Sequence, residues 1–240
     1  MTMADSDDQR ALPSAIVAVR SNRALSIAIG VLIIAAGLAS LVMSFRGQWR
    51  LDFASDWATT HAVREGDSPY GNALAEVRRR IPELRDEVTD PNQGIFPNWR
   101  PPFRFILALP FTFLAYGTAA NVWTAMEAMA LVLALFLIGR SLGWRRGPSI
   151  TVAIGALTLL SVRQDLGLGQ INGLLVLLLT VCWLGLRNDR PDVAGIALGA
   201  CIAIKIFPAF LLVPIVLRRH MRVALVAMGT AGVLTLAGII

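Results

Sequence analysis

The sequence predicts an all-α polytopic membrane protein. Three observations support this fold class: the apolar fraction is 55%, charged residues make up only 16% of the chain, and long apolar segments recur along it. Soluble domains average about 25% charged residues, so this balance indicates a bilayer environment. The net charge of +6 comes largely from arginines between apolar segments, which is typical of membrane anchoring and predicts no nucleic-acid partner.

The first apolar segment, residues 24–45, has 22 residues and no charge. That length crosses a hydrocarbon core of about 30 Å. Arg10, Arg20 and Arg23 precede it, so residues 1–23 are expected to form a cytoplasmic N-terminal tail. We expect one membrane domain over residues 24–240, in a multi-pass membrane protein.

The polar stretch 46–101 is expected to be extracytoplasmic, within a large first loop over about residues 46–118. The segment "FASDWATTHAVREG" predicts a short helix that stops at Gly66. A second amphipathic helix is predicted in "NALAEVRRRIPELRDEV", broken at Pro82. Its apolar stripe consists of Ala73, Val77, Ile81, Leu84 and Val88.

Two topologies fit the remaining apolar segments. Arginine-rich loops occur at 140–147, 187–191 and 218–222, and the positive-inside tendency favours placing all three in the cytoplasm. This requires residues 102–116 to dip into the membrane without crossing, and residues 192–217 to form two short segments that turn near Lys205. The alternative makes each a full span and moves the 140–147 loop outside. We favour the first.

Two acids follow the first span in "RLDFASDW". Asp52 has two interpretations: it caps a helix that begins at Phe53, or it is a general base that removes a proton from an acceptor hydroxyl near the interface. Asp56 lies one turn later on the same helical face. Acids there are commonly only solvated, and we include Asp56 as a candidate substrate contact.

Lys205 is the only lysine and lies inside an apolar segment. Such a lysine costs roughly 3 kcal/mol unless it is paired or near water, so it either snorkels to the interface or binds a phosphate. Arg163 is a second candidate cation. Gln170 and Asn172 either hydrogen-bond between helices or line a sugar site. His61 fits a structural or interfacial role best and is kept as a candidate substrate contact.

Several kinds of site have no signature in the sequence. It contains no metal-ligand spacing, no phosphate-cradling glycine loop, no nucleotide fingerprint and no Ser–His–Asp arrangement. We therefore expect no cofactor and assign no metal-binding residue, while the sequence leaves the metal requirement open. A lipid-carried sugar donor is favoured over a nucleotide sugar. Cys182 and Cys201 lie in apolar segments and are expected to be packed there. Glu127 is an intramembrane acid whose partner the sequence does not reveal.

Four segments of the chain form an ordered set of motifs. They are "DFASDWATTHAVREGDSPY", with a D-F … G-x-x-P-Y pattern that ends at Tyr70, "WRPPFRFILALPF", "GQINGLLVLLL" and "AGIALGACIAIKIFPAFLLVPIVLRRHMR". Together these segments resemble glycosyltransferase family 87. They occur in the family's order over about residues 50–222. Members include polyprenyl-phosphate-mannose-dependent mannosyltransferases with the GT-C membrane fold, and this chain looks shortened at its C-terminus relative to them.

The resemblance implies a membrane glycosyltransferase with a GT-C-like helix bundle, located in the plasma membrane of a bacterium (its inner membrane). It would move mannose or another hexose from a polyprenyl phosphate to a glycolipid or glycan hydroxyl at the extracytoplasmic face. Asp52 matches the position of the family's catalytic base, Lys205 and Arg163 would offset the lipid phosphate charge, and Tyr70 joins the candidate substrate contacts. The alternative is a non-catalytic relative that binds glycolipid or belongs to a transporter.

Overall fold

The computed structural model describes residues 8–45, 50–84 and 100–239, and these residues form only helices and loops. The α-helices are α1 (Asp8–Phe45), α2 (Leu51–Arg64), α3 (Ala73–Arg80), α4 (Phe103–Ala108), α5 (Tyr116–Ser141), α6 (Arg146–Gly155), α7 (Leu160–Leu168), α8 (Asn172–Arg187), α9 (Pro191–Ile204), α10 (Leu212–Leu217) and α11 (Met221–Ala237). Short 3-10 helices cover Pro82–Leu84, Leu109–Phe113, Ala156–Thr158 and Phe207–Leu211. The predicted fold class, an all-α polytopic membrane protein, is confirmed.

Two helices in the described ranges are long and apolar enough to cross a membrane, Arg23–Phe45 of α1 and the whole of α5. A third crossing is possible if Arg146–Thr158 and α7 count as one span, although they are bent by 67°. The helices α8, α9 and α11 are apolar but shorter, with 16, 14 and 17 residues. Helix α1 begins at Asp8 and so includes part of the expected tail.

Contacts between helices fix their relative directions. Helix α1 runs parallel to α6, because the Ser40 hydroxyl donates to the Leu157 carbonyl at 2.6 Å while Gly30 faces Thr151. Gly139 of α5 faces Ser149 of α6, and these consecutive helices are antiparallel. Helices α1 and α5 are therefore antiparallel, with the segment 103–113 between them as a short broken helix.

Contacts also fix the relative directions of the helices in the second half of the chain. Helix α8 runs parallel to α5, because Trp123 bonds to the Gly169 carbonyl and Glu127 to the Leu174 amide. Helix α9 returns antiparallel to α8, and α11 runs parallel to α9. As a result the loops 140–147, 187–191 and 218–222 lie together at one end of the bundle, here called the arginine end. The opposite end, where α2 begins and α9 finishes, is called the site end.

Small residues allow the close helix contacts in this bundle. Gly195 and Gly199 form a G-x-x-x-G pattern on α9, and a Cβ atom at either position would collide with Val226 or Ala227 of α11. Small residues at such spacing let helix backbones approach closely, and dispersion contacts then stabilise the pair where lipid supplies no hydrophobic driving force.

The local elements expected in the polar loop largely form. Helix α2 covers most of the predicted segment, although it begins two residues earlier, at Leu51, and ends at Arg64. Helix α3 ends before Pro82, and Ala73, Val77, Ile81 and Leu84 are buried as one apolar stripe. Val88 lies outside the described residues. The helical chain also breaks at Lys205, as expected, because α9 ends there and a 3-10 turn follows at Phe207.

Candidate functional site at the site end of the bundle

A cluster of charged and amide side chains lies at the site end. It combines residues from the first turns of α2, from the chain entering α4, from the α7–α8 junction and from the end of α9. The members are Asp52, Asp56, Arg100, Arg104, Asp165, Gln170, Asn172 and Lys205.

Two arginines hold the two acids of α2. Arg100 donates from Nη2 to Asp52 Oδ1 at 2.8 Å and from Nη1 to Asp56 Oδ1. Arg104 donates from Nε to Asp56 Oδ2 at 2.7 Å. The side chain of Asp56 is 0% exposed, whereas that of Asp52 is 35% exposed. Asp56 is thus a buried bridge between two guanidinium groups, whereas the carboxylate of Asp52 lies partly exposed at the surface of the bundle.

The start of α2 explains why Asp52 is available. The residue before the helix is Arg50, which has a left-handed backbone (φ 40°, ψ 43°) and makes no side-chain cap. The expectation that Asp52 caps the helix is therefore wrong, since the helix begins at Leu51 and Asp52 lies inside its first turn. A carboxylate there interacts favourably with the positive end of the helix dipole. Arg50 itself is buried, which lowers the pKa of its guanidinium.

Asn172 links the second half of the cluster. Its Oδ1 accepts a hydrogen bond from Lys205 Nζ at 3.0 Å, and its Nδ2 donates to Asp165 Oδ2 at 3.0 Å and to Gln170 Oε1 at 2.8 Å. Lys205 also interacts electrostatically with the guanidinium groups of Arg104 and Arg100, which repel it, and with the carboxylates of Asp52 and Asp165, which attract it. The lysine is therefore part of a polar network and does not extend alone toward the interface.

The α7–α8 junction that carries this network is fixed from two sides. Gly169 has a left-handed backbone (φ 71°), and a Cβ atom there would come within 2.7 Å of the Phe53 Cβ on α2. Its carbonyl accepts a hydrogen bond from the Trp123 indole at 3.1 Å. Glu127, buried in α5, accepts the backbone N–H of Leu174 at 3.1 Å. This contact supplies the partner that the sequence did not reveal and satisfies an amide in the first turn of α8.

The remaining candidates lie outside this network. Arg163 is exposed on α7. Tyr70 is half exposed and packs edge-on against Phe105, with ring centroids 6.1 Å apart. His61 is nine residues beyond Asp52, which is about 13 Å along a helix axis.

His61 belongs to a separate ion-pair network between α2 and α3. Its Nδ1 lies 3.2 Å from Arg80 Nη1, and Arg80 also pairs with Glu65 and Glu76. The hydrogen bond from Arg80 lowers the pKa of Glu65 to about 2. These contacts tie α3 to the end of α2, which gives His61 a structural environment.

Sequence reasoning missed the two arginines and Asp165 as members of the site. One signal was available for Arg104, because a charged residue inside the apolar run after "PP" needs a partner. For Arg100 and Asp165 no local pattern distinguishes them from ordinary loop residues.

The cluster can hold an anion and accept a proton. Arg100 and Lys205 are hydrogen-bond donors close to the exposed carboxylate of Asp52. Among the described residues, the Asp52 carboxylate accepts its side-chain hydrogen bond at Oδ1, and the side chain is 35% exposed. Across residues 8–45, 50–84 and 100–239, no three His, Cys, Asp or Glu side chains form a group that could hold a metal ion.

Comparison with known proteins gives one family. The profile of glycosyltransferase family 87 matches residues 100–240, more than half of the chain. The matched region contains Arg100, Arg104, Asp165, Asn172 and Lys205 and begins after Asp52. No solved structure matches the chain, so the more specific GT-C fold stays a prediction.

Two curated relatives are similar over part of their length. Both are named polyprenol-phosphate-mannose-dependent alpha-(1-2)-phosphatidylinositol mannoside mannosyltransferase. The protein from Mycolicibacterium smegmatis is 29% identical over 153 residues, which is 58% of this chain and 34% of the relative. The one from Mycobacterium tuberculosis is 29% identical over 155 residues, 58% of this chain and 36% of the relative. The chain spans about a third of the length of the curated relatives it matches.

Proposed function

Because the chain belongs to glycosyltransferase family 87, we propose that it transfers a hexosyl group from a polyprenyl-phosphate donor to a hydroxyl of a glycolipid or glycan. Mannose is the favoured sugar, since both relatives are named for a polyprenol-phosphate-mannose donor. The observation that carries the proposal is the half-exposed carboxylate of Asp52, held by Arg100 at the same end of the bundle as Lys205.

In the proposed step Asp52 acts as the general base. Its carboxylate accepts the proton of the acceptor hydroxyl as that oxygen attacks the anomeric carbon of the sugar. The bond between the anomeric carbon and the phosphate oxygen breaks, and the polyprenyl phosphate leaves with the electron pair. One base and one displacement invert the anomeric centre. General-base catalysis of this kind contributes about 10²–10⁴-fold to a rate.

The cations of the cluster suit the phosphate that departs. Negative charge grows on its oxygen in the transition state, and donors already fixed in place stabilise such charge without reorganisation. Lys205 is held by Asn172, and Arg100 is held by Asp56. Asp56 is a positioning residue in this scheme because its buried carboxylate reaches no substrate. Arg163, Gln170 and Asn172 remain the candidate contacts to the donor and its sugar.

The arrangement of loops supports an extracytoplasmic site. All three arginine-rich loops lie at the arginine end, and the positive-inside tendency places that end in the cytoplasm. The site end then faces outward, with the N-terminus cytoplasmic and the plasma membrane as the host bilayer. A polyprenyl-phosphate sugar presented at the outer surface would meet Asp52 there.

The test is sugar transfer by membranes that contain the chain. Polyprenyl-phosphate [³H]mannose is the donor and phosphatidylinositol mannoside the acceptor, and radioactivity in the glycolipid fraction is measured. Asp52→Asn is expected to lower the rate by at least about 10²-fold. The matched control is Asp67→Asn, an exposed carboxylate of the same polar loop that lies 3.5 Å from Arg79, and its rate should equal that of the wild type.

Two results would count against the proposal. Transfer by Asp52→Asn at the wild-type rate would remove Asp52 as the base. Donor binding without transfer, in both the wild type and Asp67→Asn, would favour the alternative of a glycolipid-binding protein that does no chemistry.

A further inference from the structure

A groove runs between α8 and α10 near the arginine end of the bundle. It has a volume of about 510 Å³. Its apolar lining includes Leu179, Cys182, Trp183 and Leu186 of α8 and Leu211 and Ile215 from the Phe207–Leu217 segment. Arg187, Arg218 and His220 line the same groove, where α8 and α10 both end. We call this surface the α8–α10 groove.

The guanidinium charges of the α8–α10 groove are not neutralised by carboxylates in the part of the chain that the structure describes. Neither Arg187 nor Arg218 forms an ion pair with any carboxylate that the structure describes, and Arg187 instead lies over the Trp183 ring at 5.5 Å. By contrast Arg222, in the same arginine-rich region, is neutralised by Asp192 through two hydrogen bonds of 2.8 and 2.7 Å. The groove thus offers unneutralised guanidinium groups beside an apolar channel.

A second groove provides an internal comparison. It lies between α5, α6 and α8, has a volume of about 610 Å³, and is lined by apolar residues alone, among them Met129, Leu133 and Phe136. Such an apolar surface can contact the acyl chain of any lipid and does not discriminate between head groups. The α8–α10 groove differs by its cationic rim, which is complementary to a ligand with a long apolar part and an anionic head.

We propose that the α8–α10 groove binds an anionic phospholipid. One acyl chain lies against the apolar lining, and the phosphate accepts hydrogen bonds from the guanidinium groups of Arg187 and Arg218. Guanidinium groups match phosphate oxygens in geometry as well as in charge. The ring N–H of His220 adds a third donor. Asn172 and Arg187 are 15 residues apart on α8, about 22 Å along the axis, so this lipid site is separate from the proposed catalytic site.

The experiment is native mass spectrometry of the delipidated full chain titrated with phosphatidylglycerol or with phosphatidylcholine. The wild type is expected to bind one phosphatidylglycerol at least about tenfold more tightly than phosphatidylcholine, since a charge-assisted contact is worth about a factor of ten. The double variant Arg187→Gln/Arg218→Gln should lose this preference. The double variant Arg145→Gln/Arg146→Gln removes the same charge from another exposed loop of the arginine end and should keep it.

The groove itself is tested by filling it. Leu211→Trp places a bulky side chain at a partly exposed lining position and should lower phosphatidylglycerol binding at least fivefold. Leu133→Trp makes the matched change in the apolar comparison groove and should leave binding within twofold of the wild type. Both positions are similarly exposed, at 41% and 46%, so neither change opens the core.

Three outcomes would overturn the proposal. An equal loss in both double arginine variants would show that a diffuse positive field attracts the lipid. Unchanged binding in Leu211→Trp would show contact with the head group alone. A change of oligomeric state in Leu211→Trp, with lipid binding intact, would show that a second copy of the chain occupies the groove. Since no readout uses sugar transfer, failure here leaves the proposed function standing.

Discussion

Replacing Asp56 by asparagine should strongly destabilise the protein. The side chain keeps its size, but one carboxylate oxygen becomes an NH₂ group that faces a guanidinium donor. Asp56 is 0% exposed and Arg104 is 7% exposed, so the charge left behind on Arg104 is buried. Removing one partner of a buried ion pair costs about 3–5 kcal/mol, and we expect Asp56→Asn to lower the free energy of unfolding by this amount.

The same change at Asp52 should have little effect on stability. Its carboxylate is 35% exposed and, among the described residues, its ion pair is with Arg100. Ion pairs near the surface are worth about 0–1 kcal/mol. Asp52→Asn is thus a control on the same helix with the same chemistry. The two variants should differ in unfolding free energy by at least about 2 kcal/mol.

The measurement is reversible unfolding in mixed detergent micelles, with increasing SDS, followed by far-UV circular dichroism. A double-mutant cycle of Asp56→Asn with Arg104→Gln should give a coupling energy of about 1–3 kcal/mol, because the second change removes the unpaired charge. If the free energy of unfolding of Asp56→Asn lies within 1 kcal/mol of the wild-type value, the Asp56 carboxylate does not hold the two arginines in place. Its assignment as a positioning residue would then be wrong.

Three further predictions test other parts of the structure. The hydrogen bond from Arg80 lowers the pKa of Glu65 from 4.5 to about 2, so its stabilising effect is complete above pH 4.5 and is lost as the pH falls toward 2. In SDS unfolding across this pH range, the free energy of unfolding should therefore fall more steeply with decreasing pH in the wild type than in Glu65→Gln. Gly169→Ala should lose at least about 1–2 kcal/mol in the same assay, because a left-handed backbone disfavours a Cβ atom. A thiol at position 163 should react with a membrane-impermeant maleimide added outside intact cells, whereas a thiol at position 145 should react only after permeabilisation; labelling of the first from the cytoplasm would refute the proposed topology.

Local signals predicted most of the helical elements. Proline and glycine mark where helices stop, and apolar spacing marks the face they bury. For this reason the end of α2 just before Gly66, the break at Pro82 and the turn after Lys205 were readable from the sequence, whereas the start of α2 at Leu51 was not. The buried stripe from Ala73 to Leu84 also follows from helical periodicity alone.

The ion-pair bridge was not readable in this way. Arg100 and Arg104 lie 44 and 48 residues beyond Asp56, and no pattern within one segment reports a contact across that distance. Asp56 also looks like an ordinary solvated acid on an interfacial helix. Only the packing of α4 against α2 shows that it is buried, and the role of its arginines follows from that burial.

Asp52 and Asp56 lie one helical turn apart on α2, yet their environments differ because Asp56 is buried and Asp52 is partly exposed. Arg104 closes over Asp56 from α4, so that carboxylate can neutralise two arginines but cannot exchange a proton with substrate. Asp52, nearer the helix start, is left partly exposed, and in the part of the chain that the structure describes it shares Arg100 with Asp56. A carboxylate that must gain and lose a proton has to be accessible to the substrate. A carboxylate that holds two guanidinium groups in place has to be buried away from water. Exposure, and not sequence spacing, therefore separates the candidate base from the residue that positions its neighbours, and it predicts that Asp52→Asn affects transfer far more than stability.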